Sequence, residues 1–254
     1  MNTMFENVAV IILAAGLGTR MKSSKAKVLH KLLNQPMVLY VVETAMQVAG
    51  QNVILVVGNQ AEKVQAVVAK KADLMYAIQE QQLGTGHAVL CALPHIPSHI
   101  TEVVILCGDV PLIRATTVIE LVKEHLSQDR DVSLLAVDIE NPHGYGRILF
   151  DQNRQFCGIV EESEATDDQK QITLINSGIY CIKKDFLNVA LPSISSDNAQ
   201  GEIYLTDIIE IGYSQNRRVG VKIGSDPLEV FGINTIQELE RVESIMKKRM
   251  RIIT

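Results

Sequence analysis

The sequence predicts an α/β protein: a mostly parallel, Rossmann-like sheet with helices on both faces and a small mixed β subregion. Its apolar runs are continuous rather than alternating, as in strands buried on both faces. They alternate with segments of helical periodicity, the βαβα rhythm of a doubly covered sheet. The 254 residues are 47% hydrophobic, enough for a sizeable core.

The elements follow in order. Val8–Leu13 is all apolar and ends in small residues and glycines, a buried strand feeding a tight loop. Helical spacing over Met37–Ala49 leads to the run Val53–Val57, then a helix near 61–71 and a strand at 74–78. A helix from about Gly86, a strand at 103–107, a helix near 117–126 and a strand at 132–137 continue the rhythm. It changes after Asn141: Arg147–Phe150, Phe156–Val160 and 173–182 read as shorter strands with Gly-rich turns, laid against the sheet edge. Helical signals return at Lys184–Ala190, 204–213 and 235–250. With no repeat or linker, residues 1–234 read as one domain and 235–254 as a helical arm with Leu239, Val242, Ile245 and Met246 at helical spacing.

Charge points to an anionic ligand. The formal net charge is −5, yet no acidic residue occurs between Glu6 and Glu43, where Arg20, Lys22, Lys25, Lys27 and Lys31 cluster. A second basic cluster is Lys247, Lys248, Arg249 and Arg251. The acidic balance argues against nucleic-acid or membrane-surface binding. Gly16 and Gly18 can present backbone N–H groups to an anion, with Arg20 and Lys27 supplying fixed charge. Two familiar phosphate loops are excluded. Gly18 is followed by Thr19-Arg20 rather than Lys-Ser/Thr, and Met21 stands where a dinucleotide fingerprint needs its third glycine. Cys91, Cys107, Cys157 and Cys181 are scattered, which suggests neither a zinc site nor a disulfide framework. The start Met1-Asn2-Thr3-Met4-Phe5-Glu6 carries no basic n-region, and no apolar run spans a bilayer, so a cytoplasmic protein is expected.

Other polar groups gather at strand ends. Asp109 follows the 103–107 strand beside Gly108; alone it reads as a turn aspartate, and in company with the first loop as a ligand for a hard cation. Gln79 to His87 opens a helix; alone it reads as a polar turn with a flexible helix start, while its amides also suit a base edge, with small residues Gly84, Thr85 and Gly86 beside them. Gly146, Glu161 and Asn176 lie at Gly-containing strand ends; singly each reads as a turn, and together they offer hydrogen-bonding partners for sugar hydroxyls. Asn234 reads first as the N-cap of the last helix and second as a metal ligand.

These blocks, taken in order, resemble the sugar-1-phosphate nucleotidylyltransferase family. Leu13-Ala14-Ala15-Gly16-x-Gly18-Thr19-Arg20-Met21 with Lys27-Val28-Leu29-His30 is similar to its signature. Glu80 to Ala88, Gly108 to Leu112, Gly144 to Ile148 and Ala199 to Ile208 narrow the resemblance to its N-acetylglucosamine-1-phosphate uridylyltransferase members. The resemblance implies uridylyl transfer from UTP to N-acetylglucosamine 1-phosphate with Mg²⁺ as cofactor. It would place uridine on Leu13, Ala14, Ala15, Gly16, Gln79, Gly84 and Thr85, with Cys107 and Gly108 lining the nucleotide. Arg20 and Lys27 would face the triphosphate, Asp109 and Asn234 would hold the metal, and Gly146, Glu161 and Asn176, with Asn234, would form the sugar side. The chain departs where family members have Pro at Ala26, a His/Gln-Lys-Asp run at Glu162-Ser163-Glu164 and a basic residue near Ile236. Rival expectations are another sugar phosphate, or a non-catalytic nucleotide-sugar-binding paralogue. No hexapeptide β-helix period occurs, so no acetyl transfer from acetyl-coenzyme A is expected, and a monomer or weak homodimer is.

Overall fold

The computed structural model describes residues 5–198 and 200–253, with side chains to Lys248. Met1–Met4, Ala199, and the side chains of Arg249 and Arg251 lie outside the described residues.

Strand β1 (Val8–Leu13) is buried along its length and sits in the middle of the sheet. After it, two short turns carry Arg20 and Lys27 into the hairpin β2 (Lys31–Leu32) and β3 (Gln35–Pro36), then helix α1 (Met37–Ala49). Next come β4 (Val53–Val57), α2 (Ala61–Val68), β5 (Met75–Ile78), α3 (Thr85–Ala92) and β6 (Glu102–Cys107). Helix α4 (Ala115–Ser127) leads to β7 (Val132–Asp138), followed by the hairpin β8 (Arg147–Phe150) and β9 (Phe156–Val160). The chain closes through α5 (Asp167–Lys170), β10 (Leu174–Lys183), α6 (Lys184–Ala190), α7 (Asp207–Ser214), β11 (Val219–Ile223) and α8 (Ile236–Ile253).

The main sheet has the order β11-β7-β10-β6-β1-β4-β5. Strand β1 pairs in parallel with β4 and β6, so Leu13 lies beside both Val56 and Cys107 at their carboxyl ends. Two large apolar layers cover the faces, one containing Val10, Ile12 and Leu106, the other Ile11, Ile54 and Ile105. The expected mostly parallel sheet is therefore present.

One strand is placed differently. Residues 173–182 do not lie at the sheet edge: β10 runs antiparallel between β6 and β7, in the centre. Its apolar half, Ile179 to Ile182, is fully buried, while its polar half bulges between Asn176 and Ile179 and pairs with β8. Turn punctuation on both sides gives no information about which neighbours a strand finds. The sequence reading also lacks β2, β3 and β11; each is short, and β11 is only partly buried.

A third, smaller cluster explains the first loop. Met21 is 2% exposed and packs with Leu32, Met37, Ile233, Leu239 and Val242. The residue that breaks the dinucleotide fingerprint is thus the apolar anchor of the loop, with α8 docked on the same cluster.

Candidate functional site

The carboxyl ends of β1 and β6 open into a cleft of about 440 Å³. Leu13 through Arg20 line it, together with Gln79, Gly84, Thr85 and Ala88. Lys27, Cys107, Asp109 and Asn234 complete the end of the lining where the polar side chains meet. Gly18 has φ +63°, and a Cβ there would stand 2.6 Å from the Cβ of Lys27. Only glycine lets the loop close down on Lys27 without strain.

Four polar side chains converge at that end. Lys27 Nζ donates to Asp109 Oδ2 at 2.5 Å and to Asn234 Oδ1 at 3.0 Å. Arg20 Nη2 donates to the same Asn234 oxygen at 2.8 Å. Asn234 is held there by its neighbours, since Ile233 N donates to the Asp109 carbonyl at 2.9 Å. The N-cap expectation shifts by one residue. Thr235 Oγ1 accepts from Glu238 N at 3.2 Å, while Glu238 Oε2 accepts from Thr235 N at 2.9 Å and from Asn234 N at 2.7 Å. This reciprocal capping box leaves the Asn234 side chain free for Arg20 and Lys27.

The amide wall is pre-organised. Gln79 is 3% exposed, and its Nε2 donates to the Gly84 carbonyl and meets His87 Nδ1, both at 3.1 Å. His87 therefore orients the glutamine. Thr85 lines the cleft but also accepts from Leu205 N at 3.0 Å, so it ties the 202–205 segment across α3. Cys107 Sγ lies 3.7 Å from the Gly178 carbonyl, and burial pushes its thiol up to about 12, so it is a neutral lining group.

A second cavity of about 700 Å³ adjoins the first, and Arg20 and Asn234 line both. Its lining includes the turn before β8, with His143, Gly144 and Tyr145. Here Glu162 is a clamp: it accepts from Gly144 N at 3.1 Å and Arg147 Nη2 at 2.7 Å, and pairs with His143 Nδ1 at 3.2 Å. Arg147, 1% exposed, also reaches the Tyr145 carbonyl. The three residues expected on the sugar side, Gly146, Glu161 and Asn176, cluster just past this turn and line neither of the two cavities. Asn176 N donates to the Gly146 carbonyl at 2.8 Å, and Glu161 lies against Gly146. Asn176 Oδ1 accepts from Gly178 N at 2.8 Å and from the Tyr180 hydroxyl at 3.2 Å. Burial raises the Glu161 carboxyl above its usual range, opposed by the Thr206 hydroxyl.

The sequence reading omits Gln82, Glu202 and Tyr145, which line the two cavities. All three belong to motif blocks already noted, Gln82 to the 80–88 block, Tyr145 to the 144–148 block and Glu202 to the block ending at Ile208. Among the described residues no group of three or more His, Cys, Asp or Glu could hold a metal.

Residues 10–172 match the MobA-like NTP transferase domain, and the chain belongs to that family of nucleotidyltransferases. Within it, the chain is 47% identical over 244 residues to the bifunctional protein GlmU of Geotalea uraniireducens, covering 96% of this chain and 53% of that protein. It is 44% identical over 247 residues to the GlmU of Geobacter sulfurreducens, covering 97% and 52%. The chain thus spans about half the length of the curated relatives it matches. A solved structure from Bacillus anthracis, assigned as a glucose-1-phosphate thymidylyltransferase in complex with sucrose, superposes with a TM-score of 0.73 over 94% of both chains at 19% identity. That likeness concerns the fold.

Proposed function

We propose that this chain transfers uridylyl from UTP to N-acetylglucosamine 1-phosphate, giving UDP-N-acetylglucosamine and pyrophosphate. The observation that carries the proposal is the convergence of Arg20, Lys27, Asp109 and Asn234 where the two cavities meet. A nucleotide in the first cavity and a sugar phosphate held on the side of Gly146, Glu161 and Asn176 would bring their phosphates together at these four side chains. A sugar-phosphate oxygen attacks the α-phosphorus, the bond to the bridging oxygen of the β-phosphate breaks, and pyrophosphate leaves. The attacking oxygen is already anionic, so no general base is needed and catalysis is positioning and charge neutralisation. Arg20 and Lys27 neutralise charge building on the pyrophosphate.

The oxygens of Asp109 and Asn234 converge on a single cation, the Lys27 ammonium. A carboxylate plus an amide oxygen fits Mg²⁺, which retains several waters and takes its remaining ligands from phosphates. Bound by Asp109 and Asn234, Mg²⁺ would supply charge neutralisation to the reacting phosphates. The buried Gln79 and the Gly84-Thr85 backbone would select the pyrimidine, while Gly146, Glu161 and Asn176 would receive the sugar.

The test is pyrophosphate release measured over a matrix of nucleotides and sugar phosphates. UTP should exceed ATP and GTP in kcat/KM by at least roughly a hundredfold, the scale on which size and buried polar contacts discriminate. Equal use of GTP would overturn the uridylyl assignment, and equal use of glucose 1-phosphate the sugar assignment.

A further inference from the structure

A third cleft, of about 510 Å³, lies away from the cavities described above. Strands β6, β7 and β11 share one direction, because β10 is antiparallel to β6 and β7 and β11 is parallel to β7. The nucleotide cleft sits beyond the carboxyl end of β6, whereas Arg130, Arg217 and Arg218 immediately precede β7 and β11 at the opposite edge. Arg154, in the β8–β9 turn, completes a lining with four arginines and no carboxylate. The balancing carboxylates, Glu124, Asp129 and Asp151, stand just outside that lining.

The arginines are not equivalent. Arg218 pairs with Asp129 at 2.6 Å. Among the described residues, Arg154 and Arg217 have no carboxylate within 4.0 Å, and Arg217 lies 5.6 Å over the Phe186 ring. Arg130 is the built element. Its Nη2 is fixed by Glu124 at 3.1 Å, while its Nη1 is buried and has no hydrogen-bond partner. A Cβ at Gly220 would collide with the Arg130 guanidinium, so the strand leaves room for that side chain to lie flat against it. A buried guanidinium nitrogen without an acceptor is costly, and it leaves the Arg130 charge only partly compensated, by Glu124 alone. Beside these charges Phe150 is 46% exposed and Tyr213 is 37% exposed, large surfaces on which a planar ring can stack.

We infer that this cleft is a second ligand site, for a phosphorylated small molecule carrying a planar ring, of the nucleotide class. Arg130, Arg154 and Arg217 take the phosphates and Phe150 takes the ring.

The chain contains no tryptophan, so Phe150→Trp places a single fluorophore in the cleft. Titration with ADP should give a saturable fluorescence change, with orthophosphate and adenosine each at least about tenfold weaker. The change should persist when Arg20→Ala is added, which separates it from occupancy of the first cleft. It should be lost in Arg154→Ser with Arg217→Ser, both exposed positions. No saturable change, an unaltered response in the double arginine variant, or adenosine binding as well as ADP would overturn the assignment. Tyr213→Trp provides the same readout from the other wall if the first reporter does not fold.

Discussion

At the scale of single residues, function depends on which partner a side chain is given. Asn234 and Thr235 are adjacent and both are good caps, yet Thr235 caps α8 and Asn234 turns to Lys27. Sequence alone cannot divide the roles, since either residue suits the cap; the reciprocal Glu238 bond decides it. Asp109→Asn keeps the shape and removes the charge that attracts a hard cation. Turnover should collapse, and raising Mg²⁺ should partly restore it; an unchanged Mg²⁺ dependence would return Asp109 to a turn-capping role. Asp207 offers a pH test. Burial, with Glu210 and Glu164 nearby, pushes its carboxyl from 3.8 up to about 6. Between these values the folded state holds a proton that the unfolded chain has released, so Asp207 lowers stability as pH rises through that window. Asp207→Asn should therefore gain on the parent between about pH 4 and pH 7, on the order of 1–2 kcal/mol after allowance for solvent. Urea midpoints at both pH values measure it, and a constant difference would refute it.

Among elements, the sequence made the β1–α4 half legible because its strands are buried on both faces and read as continuous apolar runs. Helix α1 is recovered at both ends, with Pro36 and Gly50 as flanking stops. Strand β10 was recognisable as a strand but not as the central reversed one, because pairing is a non-local choice. For the candidate site, the glycine loop and Asp109 were legible as strand-end motifs, whereas the placing of Tyr145 depends on a turn fixed by Arg147 within the same block and by Glu162 from beyond β9. Another buried link binds elements without touching the cavities. His125 of α4 meets Glu102 of β6 at 3.0 Å and Ser133 of β7 at 2.9 Å, all three buried. His125→Leu leaves Glu102 buried without that partner, which should cost about 1–3 kcal/mol. The urea midpoint should fall while KM for both substrates stays unchanged, and an unaltered midpoint would show the triad to be energetically silent.

Over the whole molecule, strand direction organises the chemistry. The strands β1 and β6 deliver the glycine loop and Asp109 to one edge, as open α/β sheets do for their ligands. Helix α8 then closes the arrangement, since Leu239 and Val242 bury against Met21 and place Asn234 beside Lys27. Sequence reading found this edge from glycine and charge alone, but not the meeting of two cavities, which requires the chain to return 207 residues later. The central claim is that this meeting point does the chemistry. Pyrophosphate release from UTP and N-acetylglucosamine 1-phosphate at saturating substrate, compared between the parent and Lys27→Ala, tests it most directly. Loss of a charge-stabilising donor should lower kcat by roughly two to three orders of magnitude, with the thermal midpoint nearly unmoved. Full turnover in Lys27→Ala would contradict the account and leave the first loop a structural turn.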